Sequence, residues 1–417
     1  MHDIVATACI MSTGEEVLRG ELIDSNSASL SQLLEESGLA VQAMFTVGDR
    51  REDLVWAIES ALQRAEYLFI TGGLGPTTDD LTTEVVADLA EVELFFHEPS
   101  WRYIEGKFQE FNIPLTENNR KQALFPQGAN VLPNPNGTAP GFSFQLQRGG
   151  TTRTIIALPG PPREMQPMAE SFVATIPGVS SPSHLFMRFF GIGESSLSET
   201  LGPWAEQNNE ELGFRHLFPE VEAKLYDATP RARDSLRAYV LENLGDVLVD
   251  FSRHSIPDLF AQYLQASGQT FATAESCTGG LVGKLITDAP GASEYFRGSV
   301  VSYHNDLKTS LLGVPEDVIA QWGAVSQQSA EAMAAGVRER TGADLTLSVT
   351  GIAGPGGGTD EKPVGTVWLG RATAQGIDSR QARVFPGRER VRICSAYEGM
   401  RWLMTDWLAQ RWRTGDR

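Results

Sequence analysis

Cysteine and histidine are scarce in this chain. Three cysteines, Cys9, Cys277 and Cys394, stand far apart among 417 residues. They are too few and too scattered for a disulfide framework or a zinc cluster, and Cys9 and Cys394 sit in apolar stretches typical of plain core residues. The six histidines form no pair at ligand spacing. No apolar run is long enough to cross a bilayer, so no membrane contact is expected. Residues 1–10 hold no Lys or Arg ahead of their apolar run, which does not read as a signal peptide, and a cytoplasmic location is expected. Positive charge is also in deficit: 34 Lys and Arg against 53 Asp and Glu give a net charge of −19. A surface that acidic repels a phosphate backbone, so no nucleic-acid partner is expected, although a local basic pocket for one phosphate stays open. Complete nucleotide fingerprints are missing too. Gly73-Leu74-Gly75-Pro76-Thr77-Thr78 lacks the third glycine of GxGxxG. Gly279-Gly280-Leu281-Val282-Gly283-Lys284 is one residue short of a P-loop, with Leu285 where Ser or Thr is needed.

The chain has ordinary soluble composition, 41% hydrophobic and 21% charged, and is too long for one hydrophobic core. The first part alternates strand and helix: strands at 4–11, 41–47 and 67–70, and helices at 25–37, 51–65 and from about 81. Such alternation predicts a parallel sheet covered by helices. Residues 112–142, rich in Pro, Asn and Gly, read as loop, and 154–158 as a further strand stopped by Pro159-Gly160-Pro161-Pro162. From 184 to 250 the pattern becomes strand, helix, strand, helix, a small α+β unit. The last part alternates again, with helices at 256–267, 279–287, 306–312, 326–341 and 389–408 and strands at 270–275, 298–303, 345–349 and 365–372. The expected fold class is α/β: an N-terminal three-layer domain with a mostly parallel sheet over 1–170, a small α+β domain over 171–252 and a C-terminal α/β domain over 253–417.

Ligands of open parallel sheets sit at the carboxyl ends of the strands. The loop Thr71-Gly72-Gly73-Leu74-Gly75-Pro76-Thr77-Thr78-Asp79-Asp80 occupies such an end. Gly72, Gly73 and Gly75 let backbone N–H groups approach a phosphate, with Thr77 beside them. Asp79 and Asp80 suit a hard cation such as Mg²⁺. The same residues also read as a tight turn in which Asp79 or Asp80 caps the next helix.

A second loop, Ala274-Glu275-Ser276-Cys277-Thr278-Gly279-Gly280, ends a strand and opens a helix whose N-terminus suits an oxyanion or phosphate. Ser276, Cys277 and Thr278 are possible nucleophiles or donors, and equally an ordinary N-cap. Tyr303 at a strand end and Lys308 five residues on can converge there. A lysine in the first turn of a helix meets an unfavourable dipole, which depresses its pKa and suits it to act as base for a serine. A third loop, Thr350-Gly351-Ile352-Ala353-Gly354-Pro355, follows another strand. Arg388, Arg390 and Arg392 offer a phosphate grip or plain helix-surface charge.

Thr71-Gly72-Gly73-Leu74-Gly75-Pro76 with Asp79-Asp80, Gly137-Thr138-Ala139-Pro140-Gly141, Leu158-Pro159-Gly160-Pro161-Pro162, Glu15-Glu16-Val17-Leu18-Arg19-Gly20 and Asp24-Ser25-Asn26-Ser27 together resemble a molybdopterin-binding-like domain. That domain forms the N-terminal half of the competence/damage-inducible protein A (CinA) family. Ala274 to Gly280, Gly291-Ala292-Ser293, Tyr303-His304-Asn305 with Lys308, Val349 to Pro355 and Val364-Gly365-Thr366-Val367-Trp368 resemble that family's C-terminal nicotinamide mononucleotide deamidase domain. The resemblance implies hydrolysis of nicotinamide mononucleotide to nicotinate mononucleotide and ammonia with no cofactor, and a homodimer. For the N-terminal half it implies ADP-ribose pyrophosphatase chemistry with a divalent cation held by Asp24, Asp79 and Asp80.

The corresponding mechanism takes Ser293 as nucleophile, Lys308 as base and Tyr303 to relay or orient the proton, with Ser276 as the second choice of nucleophile. Glu275, Ser276, Thr278, Gly279, Thr350, Gly351 and Arg388, aligned with the family arginine, are expected to bind substrate. Backbone N–H groups in 276–279 or 350–354 are expected to hold the oxyanion. The alternatives are a binding or adaptor protein of competence or DNA-damage response, and a molybdopterin-binding module with little catalysis.

Overall fold

The computed structural model describes residues 6–110, 112–178 and 183–414. Ile4 and Val5, expected to open the first strand, lie outside them. The chain forms two compact units, residues 1–182 and 183–417.

The first unit is built on a six-stranded sheet. Its strands are β1 (Thr7–Thr13), β2 (Ala40–Val47), β3 (Tyr67–Thr71), β6 (Asn130–Leu132), β7 (Gly141–Arg148) and β8 (Thr151–Leu158), in the order β2-β1-β3-β8-β7-β6; β4 (Leu94–Phe96) and β5 (Leu124–Pro126) pair separately. β2, β1, β3 and β8 run parallel, while β7 and β6 are antiparallel. Side chains alternate across the pleat. On β1, Ala8 and Ile10 join Leu30, Leu34, Met165 and Met168 on one face, under the helices Ser25–Glu36 and Pro162–Val173. Cys9 and Met11 join Leu54, Ile58, Val85 and Val86 on the other, under Arg51–Leu62 and Thr82–Leu89. This is the three-layer α/β arrangement expected from the alternating pattern. Residues 112–142 are not all loop: Glu117–Ala123 forms a 3-10 helix, β5 and β6 follow, and β7 starts at Gly141. β5 and β6, three residues each, are too short to carry a readable alternation.

The second unit holds two sheets. A four-stranded antiparallel sheet contains β9 (Leu185–Phe190), β10 (Leu212–Leu217), β11 (Glu220–Leu225) and β12 (Leu248–Asp250), ordered β10-β11-β9-β12, with the helices Glu194–Asn208 and Pro230–Leu244 on its apolar face. The five-stranded sheet is ordered β14-β13-β15-β16-β17, from β13 (Phe271–Glu275), β14 (Phe296–Val301), β15 (Leu345–Gly351), β16 (Thr366–Thr373) and β17 (Gly376–Arg383). β14, β13 and β15 are parallel and the last two strands antiparallel. One apolar face packs the helices Ile256–Ser267 and Arg388–Leu403, the other Asn305–Leu312 and Gln327–Thr341. The terminal helix expected over 389–408 divides at Met404 into Arg388–Leu403 and Thr405–Thr414. Among the described residues no helix is long and apolar enough to cross a membrane.

Candidate active site

In the second unit β13, β14 and β15 run parallel, so their carboxyl ends share one edge. Ser276 follows β13 directly, Ser302 and Tyr303 follow β14, and Thr350 and Gly351 end β15. The helix Asn305–Leu312 turns back from that edge, capped by His304. This sends Lys308 under the end of the sheet.

Lys308 is 1% exposed. Its Nζ lies 3.0 Å from Ser276 Oγ, 2.8 Å from the Ser302 carbonyl and 3.3 Å from the Tyr303 carbonyl. No carboxylate among the described residues lies within ion-pair distance of it. Burial therefore holds its pKa below the ordinary lysine range, against a smaller opposing pull from Cys277. A neutral amine has two N–H bonds and one lone pair. Charged, Lys308 Nζ donates to all three oxygens; once deprotonated, its two N–H bonds serve the carbonyls and its lone pair faces the Ser276 hydroxyl. The Cys277 thiol beside it is pushed up to about 12 by burial, which keeps it protonated near neutral pH.

Ser293 is a correction. It lies exposed in the 3-10 turn Ala292–Glu294, just before β14 begins. Register pairs Phe271 with Phe296 and Glu275 with Val301, so Ser276 and Ser293 sit at opposite ends of two parallel strands. At about 3.3 Å per residue, roughly 15 Å separates them. Ser293 is not brought to Lys308 or Tyr303; Ser276, the second choice, is the hydroxyl in place. The rule that ligands gather at strand carboxyl ends, applied to both serines, favours Ser276 already in the sequence.

Tyr303, 54% exposed, stands at the mouth, where Arg388 Nη2 donates to its hydroxyl at 2.7 Å and Arg388 Nη1 donates to the Gly354 carbonyl at 2.9 Å. Arg388 thus joins two of the three loops, as the first residue of its helix. Arg392, one turn on, donates through Nε and Nη2 to the Thr278 carbonyl at 3.3 and 2.9 Å. Arg392 is a support for the loop and not a free phosphate grip.

Other expected binding residues hold the scaffold. The Glu275 carboxylate is buried and accepts four hydrogen bonds, so it offers nothing to a substrate and occupies the helix N-terminus expected to hold an anion. The Thr350 hydroxyl is buried and donates to the Ala324 carbonyl at 2.8 Å. A Cβ on Gly351 would crowd Val367 and the Cys277 sulfur, so its glycine serves packing. Within 276–279, the Ser276 N–H is given to Val349 and the Gly279 N–H to Ser276. The N–H groups of Cys277 and Thr278 have no backbone acceptor among the described residues. The Thr278 hydroxyl is buried without a hydrogen-bond partner.

In the first unit, Gly72, Gly73, Gly75 and Thr77 line a cleft of about 410 Å³ together with Thr13, Asp49, Gln122, Thr138 and Glu164. Gly72 and Gly73 have φ of +105° and +69°, and side chains there would strike Thr13 and Thr82. Asp79 and Asp80 line the rim, with Asp80 Oδ2 accepting from the Thr77 N–H at 2.8 Å and from its hydroxyl. Asp24 is a correction: it caps the helix Ser25–Glu36, accepting from the Ser27 N–H at 2.9 Å and from the Ser12 and Ser27 hydroxyls at 2.7 Å. Burial raises its pKa, but these donors outweigh burial and leave it below the usual carboxylate range. Among the described residues no three His, Cys, Asp or Glu side chains converge as a metal cage would need. The lining is acidic, with Glu16, Asp49 and Glu164 beside the two rim aspartates and no lysine or arginine. Such a donor set suits a hard cation shared between one or two carboxylates and a ligand's phosphates. Asp49, Gln122 and Glu164 carried no motif signal; Glu164 enters the cleft because Pro161-Pro162 starts its helix and leaves Glu164 in the first turn.

These features define an α/β protein of two units, the second bearing a buried serine–lysine pair at the carboxyl edge of its parallel strands. Residues 253–406 match the family described as "CinA C-terminal domain", and residues 9–178 match the "Probable molybdopterin binding domain". A CinA-like protein of Gloeothece citriformis is 39% identical over 414 residues, covering 95% of this chain and 98% of the relative. Another from Dictyoglomus turgidum is 36% identical over 406 residues, covering 94% and 97%. The chain belongs to the CinA family. The crystal structure of competence/damage inducible protein CihA from Agrobacterium tumefaciens is 35% identical, covering 38% of this chain and 98% of that one, with a TM-score of 0.36.

Proposed function

We propose that the second unit is a serine–lysine amidohydrolase acting on nicotinamide mononucleotide. The observation that carries this reading is the 3.0 Å contact between Ser276 Oγ and the buried, acid-free Lys308 Nζ. Ser276 Oγ attacks the carboxamide carbon while its proton passes to Lys308 Nζ. The N–H groups of Cys277 and Thr278, which face the Cys277 sulfur and have no backbone acceptor among the described residues, are the donors proposed to turn to the oxyanion. The C–N bond then breaks, and Lys308 returns the proton to the leaving nitrogen, which departs as ammonia. Lys308 next takes a proton from water, whose oxygen attacks the acyl-serine. Ser276 is released with its proton restored and nicotinate mononucleotide leaves. The substrate pyridinium is already cationic, which makes its carbonyl a better electrophile. Arg388 and Tyr303 at the mouth orient the nucleotide.

Incubation of the protein with nicotinamide mononucleotide, with and without EDTA, followed by product chromatography tests the reading. Ammonia and nicotinate mononucleotide in both samples, and neither with Ser276→Ala, is the expected result; no turnover by the wild type overturns it.

The glycine-lined cleft supports a second reading: the first unit holds a phosphorylated small molecule of the ADP-ribose class. Asp79 and Asp80 would hold a divalent cation whose chemistry is to neutralise the diphosphate charge. ADP-ribose in the same incubation, with and without EDTA, tests this.

A further inference from the structure

We infer that Glu275 is a positioning residue for the Ser276 nucleophile, an inference that rests on the serine–lysine reading above. Glu275 is the last residue of β13 and is bonded directly to Ser276. Its Oε2 accepts from the N–H groups of Gly280 and Val282 at 2.9 and 3.1 Å. Its Oε1 accepts from the Gly283 N–H and the Ser299 hydroxyl, both at 2.9 Å. The helix Leu281–Thr287 has no side-chain cap at Gly280, so this carboxylate from the preceding strand satisfies the amides that a cap would take. An ionised carboxylate has about four acceptor sites, and all are filled. No cation among the described residues lies within ion-pair distance of it.

The consequence for the site is geometric. The turn from Ser276 to Gly280 passes through Gly279 and Gly280 at φ of +60° and +92°. Left to itself, a turn of this kind has wide freedom. The Glu275 side chain ties its far end back to its near end and, through Ser299, to β14. The Glu275 carbonyl also accepts the Ser302 N–H at 2.8 Å, and the Ser302 carbonyl accepts from Lys308 Nζ at 2.8 Å. One residue therefore sets the nucleophile through a covalent bond and the base through two hydrogen bonds. Proton transfer is steep in such distances: a misplacement of about 1 Å costs on the order of a hundredfold in rate.

Glu275→Gln keeps the shape and turns a donor toward N–H groups; Ser299→Ala removes one of the four donors from outside the machinery. The full-length proteins are treated with a fluorophosphonate, and the adduct is mapped by peptide mass spectrometry, which reads nucleophile competence without substrate. Ammonia release from nicotinamide mononucleotide separates kcat from KM, and thermal melting monitors folding. The expected result is a wild-type adduct on Ser276, formed at least about tenfold more slowly in Glu275→Gln and about threefold more slowly in Ser299→Ala, with kcat falling in parallel and KM within about twofold. Folded Glu275→Gln that labels at the wild-type rate overturns the inference, as does a loss confined to KM, which returns Glu275 to substrate binding. If Glu275→Gln does not fold, Ser299→Ala decides, and a wild-type labelling rate there is the overturning outcome. A wild type that forms no adduct on Ser276 removes the serine–lysine reading and this inference with it. Labelling without turnover removes only the substrate, and the labelling rates still judge Glu275.

Discussion

Lys308 Nζ and Ser276 Oγ stand 3.0 Å apart beneath the carboxyl edge of three parallel strands, 32 residues apart in the chain. That contact separates the two candidate nucleophiles. Ser276→Ala is expected to lower ammonia release by at least about a thousandfold, the scale seen when a nucleophile acting as a unit with its base is removed. Ser293→Ala, at the other end of the strands, is expected to stay within about twofold. Steady-state assays on both purified variants check this, and a severe loss in Ser293→Ala would reverse the assignment.

The protonation state of Lys308 sets the pH dependence. Burial lowers its pKa, and only the neutral amine can accept the serine proton. The rate is therefore expected to rise with pH as Lys308 deprotonates, with an ascending limb below the ordinary lysine range. Lys308→Arg keeps a cation that does not deprotonate and is expected to be inactive, below about 1% of wild type, across the limb. Profiles of kcat against pH for the two proteins check this. A limb that survives in Lys308→Arg belongs to another group.

Much of this architecture was legible beforehand. The apolar segments placed β1, β3, β13 and β15, because a strand buried on both faces reads as a continuous apolar run; β2, exposed on one face, was placed by its alternation with the helices beside it. β17 was not legible: Gly376–Arg383 is an edge strand with mostly exposed side chains, and Asp378, Ser379, Arg380 and Gln381 leave no apolar pattern. At the site, Ser276, Tyr303, Lys308 and Arg388 were all named from motifs, but motifs do not say which hydroxyl faces the lysine. That depends on strand direction, and Ser293 failed on it. Glu275 and Asp24 were expected to face a substrate and a metal because the motifs that carry them resemble the family's. The structure spends both on helix N-termini, a demand that comes from the backbone and is invisible in residue type alone.

Arg388 joins the mouth by donating to Tyr303 and to the Gly354 carbonyl. Arg388→Ala removes a charged donor at the surface, where a hydrogen bond to an anionic ligand is worth about 1.5–3 kcal/mol. KM for nicotinamide mononucleotide is expected to rise about tenfold or more, with a smaller change in kcat and an unchanged melting temperature. Tyr303→Phe, which keeps the ring, is expected to have the weaker effect on KM. Saturation curves for both variants check this; an Arg388→Ala protein with wild-type KM would place the nucleotide elsewhere.

Asp24 closes the first turn of the helix Ser25–Glu36. Asp24→Ala is expected to cost about 1 kcal/mol of stability, the usual loss on removing an N-cap. It is expected to leave any divalent-cation dependence of ADP-ribose turnover unchanged. Urea unfolding and a magnesium titration check the two halves. Loss of cation response with full stability would restore Asp24 as a ligand.

Glu220, on the four-stranded sheet, supplies a stability test on a different sheet from the nucleophile's. Its carboxylate is 2% exposed at the start of β11, and burial raises its pKa to about 7. The Ile256 N–H, donating to Oε1 at 2.8 Å, and Arg188 at 3.4 Å pull it down, while Asp258 and Glu222 push it up. The folded state therefore holds a proton that the unfolded chain releases at the ordinary value of 4.5. Stability from this group is fully present below that value and is lost as pH rises through 7. The shift corresponds to at most about 3 kcal/mol. Glu220→Gln mimics the protonated form and is expected to match the wild type at pH 5 and to exceed it in urea midpoint at pH 8. Equal midpoints at pH 8 would show that Arg188 already compensates the buried charge, and the direction of the shift would then be wrong.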